Sequence, residues 1–289
     1  MALLAPLAEI LGVAPGYGKL FPVQSPCPGR RLATPTWGRK VFSSMPGEGF
    51  VTFSVDDGHP SDLKTAQLLQ KYGLKATFYI PARNAERKVM PENQVRDLSG
   101  SFEIGAHTLN HVRLTVLPRK QAWAELHDGK RWLEDLLGKQ VDSFCYPGGK
   151  FDRDLVTMVE QAGFLGARTC TLNLTDIPKN PFLWGVSTHA CFYRPVVQIR
   201  HALLEKNLAG AWNFVSVYGS ATDWLQHFLT SLQHVSRQGG ISHLFLHSWE
   251  IDERRDWARL ETAFEAASNM KSLRRVTNGE LFALSRGRL

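Results

Sequence analysis

The chain has 289 residues, 43% of them hydrophobic, so it can bury a core of its own without help from disulfides or oligomerisation. Its 34 lysines and arginines against 27 acids give a net charge of +7, but the cations form scattered pairs rather than a run interleaved with aromatics, which argues against a nucleic-acid-binding strip. Four cysteines lie far apart without a C-x-x-C pair, which argues against a zinc knot and favours a reducing, cytoplasmic compartment. No stretch reaches the ~20 uninterrupted apolar residues that a membrane span needs.

The order of elements predicts a parallel α/β fold. Residues 1–48 are rich in Pro and Gly and are predicted to be an N-terminal extension, with one domain formed by residues 49–289. The predicted strands cover, in chain order, residues 50–55, 76–80, 101–105, 143–146, 164–168, 184–187 and 242–247. The predicted helices cover residues 62–72, 91–98, 119–137, 153–162, 196–207, 222–237 and 257–270. Repeated strand–helix units imply parallel strands covered by helices, so we expect a single distorted barrel of seven or eight units.

The first predicted strand runs directly into two carboxylates, Asp56 and Asp57, followed by Gly58. Neighbouring residues of a strand face opposite ways, so the two carboxylates can serve two purposes. One can bind a metal while the other stays free as a base. Such a pair is more often an exposed turn when it stands alone.

Two histidines, His107 and His111, follow the third predicted strand at a spacing of four. They share one face if a helical turn begins there, which would bring both imidazoles to one ion. Two neutral imidazoles and a carboxylate form a site that zinc and neighbouring transition metals favour, with open positions for water and substrate. Two exposed histidines on a helix are the simpler alternative.

Two further strand ends carry candidate groups. The turn at Tyr146, Pro147 and Gly148 could present backbone N–H groups to an oxyanion, and His247 beside Trp249 could act as a general acid. Each of these is commonplace by itself. All of them follow apolar strands, however, and unrelated turns have no reason to be placed so regularly, which favours one shared site.

Together these residues resemble the polysaccharide deacetylase family, the NodB homology domain of carbohydrate esterase family 4, over residues 50–289. Residues 51–58, VTFSVDDG, are similar to its first motif, residues 107–111, HTLNH, to its second, and Leu246 with His247 to its late L-x-H motif. The resemblance implies that Asp56 is the general base, that Asp57, His107 and His111 are metal ligands, and that His247 is the proton donor. Residues 247–252 look like the small-glycan and biosynthetic branch.

The third and fourth motifs differ from the family pattern. Where the family often has R-x-P-x-G, the aligned stretch reads CYPGG, so the Arg that would hold the catalytic Asp is absent. Arg168, at the end of the next predicted strand, is the hypothetical substitute. For the fourth motif only Asp176, Trp184 and Trp249 are candidates, and Trp249 is also expected to contact substrate together with Pro147 and Gly148.

The resemblance implies a hydrolase that removes an acyl group, with acetyl as the first candidate, from the nitrogen of an amino sugar or glycan. Its cofactor would be zinc, with cobalt, nickel, manganese or iron(II) as alternatives, and the oxyanion would be held in part by a backbone N–H near Tyr146. Three other readings stay open: a deformylase, an allantoinase-like hydrolase of cyclic amides, or a barrel that binds glycans without catalysis. The sequence leaves the oligomeric state and the exact substrate open.

Overall fold

The computed structural model describes residues 47–287, apart from the side chain of Pro195. The predicted extension therefore lies almost wholly outside the described residues. The strands are β1 (Gly49–Asp56), β2 (Thr77–Ile80), β3 (Glu103–Ala106), β4 (Ser143–Cys145), β5 (Gly166–Arg168), β6 (Thr188–His189), β7 (Gly240–Leu246) and β8 (Leu273–Arg275). The helices are α1 (Asp62–Lys71), α2 (Glu92–Ser99), α3 (Arg119–Leu137), α4 (Arg153–Gln161), α5 (Pro195–Leu204), α6 (Leu208–Ser216), α7 (Trp224–Gln238), α8 (Ser248–Arg254), α9 (Trp257–Asn269) and α10 (Asn278–Ser285).

The strands form one curled sheet in the order β5-β4-β3-β2-β1-β7-β6, and every pairing in it is parallel. One edge of β1 pairs with β7 over nearly its whole length, whereas the other edge is shared between β8 at its start and β2 at its end. The predicted barrel-type fold is confirmed, as a curled sheet with covering helices. Because the strands are parallel, their carboxyl ends lie along one edge, which is where such folds hold their sites.

The central strand β1 separates an apolar layer from a polar interior. Val51 and Phe53 point outwards into the main core, where the Phe53 ring meets those of Phe228 and Phe264 edge-on. The alternate residues point inwards, and there the Ser54 hydroxyl lies 2.8 Å from His243 Nε2. This period of two explains why a strand that is buried throughout still carries polar side chains.

The sequence did not identify α6, α8, β8 or α10. The strand predicted at residues 184–187 lies at Thr188–His189 instead, and Trp184 makes only an isolated bridge to Arg168. Two- and three-residue strands are too short to show periodicity, so their positions depend on tertiary pairing. Among the helices of residues 47–287, none combines the length and the apolar character needed to cross a membrane.

Candidate active site and metal centre

Three of the predicted site residues, Asp57, His107 and His111, bring their ligand atoms close together. Asp57 Oδ1 lies 3.0 Å from His111 Nε2 and 3.7 Å from His107 Nε2, so the three ligand atoms could reach one ion. Asp57 and His107 are almost completely buried, while His111 is partly exposed. Burial alone would raise the pKa of Asp57, but the contact with His111 and the neighbouring imidazoles outweigh it and lower that pKa well below its usual value.

His107 is oriented with one nitrogen towards this oxygen. Its Nδ1 lies 2.9 Å from the backbone oxygen of Cys145, so Nδ1 donates there and Nε2 keeps its lone pair. Burial lowers the pKa of His107 to about 4, which keeps the ring neutral near pH 7. A neutral imidazole with its second nitrogen fixed by a hydrogen bond is the usual form of a histidine metal ligand.

The segment from His107 to His111 does not form the helical turn that would have placed both imidazoles on one face. The segment is an irregular loop in which Thr108 (φ 65°) and His111 (φ 52°) take left-handed backbone conformations. Glu125 of α3 holds the loop, because its carboxylate accepts hydrogen bonds from the backbone N–H groups of Leu109 and Asn110 at 3.1 and 2.9 Å. The two imidazoles therefore converge through a braced loop rather than through helical spacing.

Gly129 lets α3 approach this loop closely. A Cβ at this position would lie 2.7 Å from the backbone nitrogen of Leu109 and 2.7 Å from the carbonyl carbon of Thr108. Both are main-chain atoms, which cannot rotate away as a side chain could. The glycine in the middle of α3 is thus explained by the histidine loop that packs on it.

Asp56 forms a buried ion pair with Arg168. The Arg168 guanidinium donates to Asp56 Oδ1, and both side chains are almost fully excluded from solvent. The cation also lies over the Phe245 ring, 4.5 Å from its centroid. Burial alone would raise the pKa of Asp56, but the charge of Arg168 lowers it below the usual value and keeps the carboxylate ionised. The structure thus brings Arg168, the hypothetical substitute for the third-motif Arg, into direct contact with Asp56.

His247 lies on the other side of Asp57 and is held by a carboxylate. Its Nε2 is 3.9 Å from Asp57 Oδ2, and its Nδ1 is 2.8 Å from Glu250 Oε2. The same Glu250 oxygen lies 3.1 Å from His189 Nε2, and His189 Nδ1 lies 2.7 Å from the Tyr193 hydroxyl. Burial would lower the pKa of His247, but the hydrogen bond that its Nδ1–H donates to Glu250 and the charges of the nearby aspartates raise that pKa above the usual value. The ring is therefore suited to hold a proton.

Trp249 contacts the proposed metal ligand. Its indole N–H donates to Asp57 Oδ2 at 2.8 Å, and the Arg87 guanidinium lies over its ring, 3.9 Å from the centroid. The structure thus places Trp249 in the site as a support for Asp57, with one ring face already covered.

The turn at residues 146–149 differs from the prediction in one respect. The Tyr146 N–H donates to the backbone oxygen of Arg168 at 3.2 Å, and the Tyr146 side chain is buried against Phe144 and Phe151. The N–H of Tyr146 is thus engaged next to the β4–β5 pairing, so the expected donor near Tyr146 has to come from another residue of the turn. Pro147 has no N–H, so the first donor that this turn can offer is Gly148.

Two candidates for the fourth motif lie elsewhere. Trp184 packs in a small apolar cluster with Phe50 and Phe282. Phe50 lies near the start of β1, whereas Asp56 is its last residue, so this cluster is at the other end of the strand from the site. Asp176 is exposed on the loop before β6. Glu250 and His189 are not among the site residues that the sequence predicts. The spacing of Glu250 three residues after His247 was a usable signal, whereas His189 follows no legible motif.

A metal fits the residues that surround Asp57 Oδ1. This oxygen is buried and accepts no hydrogen bond from any residue between 47 and 287, although two imidazole nitrogens point at it. Leaving a buried carboxylate oxygen unsatisfied is costly unless a cation binds it. One oxygen and two imidazole nitrogens are also the donor set that divalent transition metals prefer.

Comparisons with known proteins show what the sequence and the fold are similar to. Residues 44–167 match the family model for polysaccharide deacetylases. Over 138 residues the chain is 29% identical to the peptidoglycan-N-acetylglucosamine deacetylase of Bacillus cereus, an alignment that covers 47% of this chain and 62% of that relative. The chain thus spans about three fifths of the length of that relative.

Two solved structures show the same fold. A candidate polysaccharide deacetylase from Mycobacterium smegmatis superimposes with a TM-score of 0.57 at 15% identity, covering 86% of this chain and 94% of that one. A family 4 acetyl xylan esterase from Clostridium thermocellum, solved in complex with a cobalt ion, gives a TM-score of 0.50 at 18% identity over 81% and 91% of the two chains. The ordered motifs, the family-model match over residues 44–167 and the shared fold agree with one another: this part of the chain is similar to polysaccharide deacetylases.

Proposed function

We propose that this protein is a metal-dependent hydrolase that removes an N-acyl group from an amino sugar or glycan. Acetyl is the acyl group that we propose as the first candidate. The observation that carries the proposal is the unsatisfied Asp57 Oδ1 between two imidazoles, with the ionised Asp56 beside it and His247 on its far side. The activity of the Bacillus cereus relative on N-acetylglucosamine in peptidoglycan supports acetyl as the first choice. The small-glycan branch stays a prediction.

The metal would be held by Asp57, His107 and His111. Bound there, a divalent cation would supply Lewis acidity that polarises an amide carbonyl and makes water a better nucleophile. Zinc is the first candidate because the donor set suits it. Cobalt follows, since the esterase from Clostridium thermocellum was solved with that ion. Nickel, manganese and iron(II) remain alternatives.

Asp56 would act as the general base. It is adjacent to the ligand Asp57, and Arg168 keeps it ionised, so it can accept the proton of the attacking water. The same contact fixes its orientation, because the Arg168 side chain is itself packed between aromatic rings. The N–H of Gly148 is proposed as a donor to the oxygen that becomes negative during attack, a contact worth about 3 kcal/mol in other hydrolases.

His247 would act as the general acid. Glu250 holds its Nδ1, so Nε2 points towards Asp57 and can deliver a proton to the departing nitrogen. An amide needs this proton far more than an ester does, because an unprotonated amine anion is a very poor leaving group. The raised pKa of His247 fits that need.

The test is a screen of N-acylated sugars, nucleotide sugars and peptidoglycan fragments against metal-loaded protein, with released acetate and formate measured. We expect acetate from at least one substrate, loss of both metal and turnover in Asp57→Ala, and loss of turnover alone in Asp56→Asn. Metal analysis by mass spectrometry would contradict the assignment of Asp56 if Asp56→Asn came out empty. Formate release alone would identify a deformylase.

The same assay separates the other readings. Turnover of cyclic ureides without turnover of N-acyl sugars would identify a ring-opening hydrolase, and glycan affinity without any turnover would identify a binding barrel. We also propose a cytoplasmic location, in line with the free thiols of Cys145, Cys170 and Cys191.

Nucleic acid is not proposed as a partner. Salt-dependent retention of the protein on DNA would contradict this expectation.

A further inference from the structure

Most of the exposed large apolar side chains of residues 47–287 lie on α5, on α6 and just before them. Of the ten large apolar side chains that are exposed in this part of the chain, eight fall within 24 consecutive positions. They are Phe192, Val196, Ile199, Leu203, Leu204, Leu208, Trp212 and Val215. We call this set the α5–α6 face.

These side chains share one side of each helix. Residues 196, 199 and 203 follow one another at spacings of three and four on α5, as do residues 208, 212 and 215 on α6. Other positions of the two helices, Ala202 on α5 and Phe214 on α6, are buried. The apolar core is thus satisfied without the α5–α6 face, in which Leu208 and Trp212 are 74% and 72% exposed.

The charges around this face are almost all positive. Arg194, Arg200 and Lys206 are exposed between its apolar residues. The single acid from residue 192 to residue 216 is Glu205, and it is paired with Lys150 at 3.1 Å. The apolar side chains of this face would fit an apolar layer, and its cations would fit an anionic layer above it.

We propose that the α5–α6 face docks on a membrane surface that carries anionic phospholipids. Short amphipathic helices with apolar side chains on one face and basic residues nearby bind in the headgroup region in this way, with aromatic rings such as Trp212 at the boundary. Soluble monomers rarely expose contiguous apolar patches of this kind without a partner. A second copy of the chain fits less well, since a two-fold contact would bring the same three cations of both copies together.

The test is sedimentation of the full chain with vesicles of phosphatidylcholine alone and of equimolar phosphatidylcholine and phosphatidylglycerol. We expect the protein to sediment with the anionic vesicles, and more weakly as salt screens the cations. Leu208→Ser and Trp212→Ser should each weaken binding about tenfold, because each removes a large apolar side chain from the contact. Arg200→Gln should weaken it about fivefold.

Val116→Ser is the matched control, because Val116 is 75% exposed but lies just before α3 and outside α5 and α6, and it should bind as the unchanged protein does. Circular dichroism should show all the variants folded, since the altered side chains lie outside the core. Absence of the protein from the anionic vesicle pellet would overturn the proposal, as would equal sedimentation of Trp212→Ser. A dimer found by analytical ultracentrifugation that Trp212→Ser dissociates, without vesicle binding, would identify a second copy as the partner instead.

Discussion

Replacing Gly129 by alanine should weaken metal binding although residue 129 touches no metal ligand side chain. The substitution places a methyl group between α3 and the loop that carries His107 and His111. The added Cβ would lie 2.7 Å from the backbone of both Thr108 and Leu109. Since ordinary contact begins at 3.4 Å, the loop and the helix must separate by about 0.7 Å.

This displacement is large compared with the tolerance of a metal site, where ligand distances hold to within about 0.2 Å. We therefore expect the affinity for zinc to fall roughly 10–100-fold, as it does when groups that orient ligands are altered. Stability should change much less. A helical alanine contributes about 1 kcal/mol over glycine, while overpacking costs about 1–3 kcal/mol, so a net loss of about 0–2 kcal/mol is expected.

The affinity is measured by isothermal titration of chelator-treated protein with zinc, and stability by urea unfolding of the same samples. Gly100→Ala is the control, because Gly100 ends α2 with a helical backbone (φ −72°, ψ −24°) and its added Cβ meets only Asp97 O, at 3.3 Å. It should bind zinc normally. Unchanged zinc affinity in Gly129→Ala would refute the reasoning that the loop position sets the site.

Three further predictions concern buried charges and protons. Arg168→Met should cost about 3–5 kcal/mol in urea unfolding because it leaves the Asp56 carboxylate buried without its partner, and Asp56→Asn in the same protein should recover much of that loss. Glu250→Gln removes a hydrogen bond that raises the pKa of His247, so in a profile of kcat/KM against pH the alkaline loss of activity should begin at a lower pH. Burial lowers the pKa of His243 from 6.5 to about 3, so the folded chain lacks a proton that the unfolded chain binds in this window. Stability from this residue is complete above pH 6.5 and should fall by about 1.4 kcal/mol per pH unit towards pH 3, a slope that His243→Asn should reduce in urea unfolding at several pH values.

Each of these three has an exposed counterpart as its control. Arg131→Met breaks a surface pair with Asp135 at 3.7 Å and should cost less than about 1 kcal/mol. Glu253→Gln, which contacts Arg87 at 3.3 Å, should leave the pH profile unchanged. The exposed His127 is the residue to replace as the control for His243. If a buried variant behaves like its exposed counterpart, the corresponding argument is wrong.

Several details of the site could not have been read from the sequence. The sequence predicted that helical spacing would bring His107 and His111 together. In the structure a loop with left-handed backbone conformations, held by Glu125, brings them together. The sequence predicted a backbone donor near Tyr146, but nothing local shows that the N–H of Tyr146 itself is engaged by Arg168. Tertiary pairing decides these points, and a sequence pattern does not contain it.

The sequence by itself determined the parallel α/β class, the resemblance to polysaccharide deacetylases and the strand ends that carry reactive groups. Period-two strands and motifs such as VTFSVDDG are local, so adjacent residues are enough to define them. Only the tertiary structure decided which distant groups meet: Arg168 with Asp56, Glu250 with both His247 and His189, and Gly129 with the histidine loop. Those contacts depend on the curl of the sheet and the packing of α3, where residues far apart in the chain come within hydrogen-bond distance.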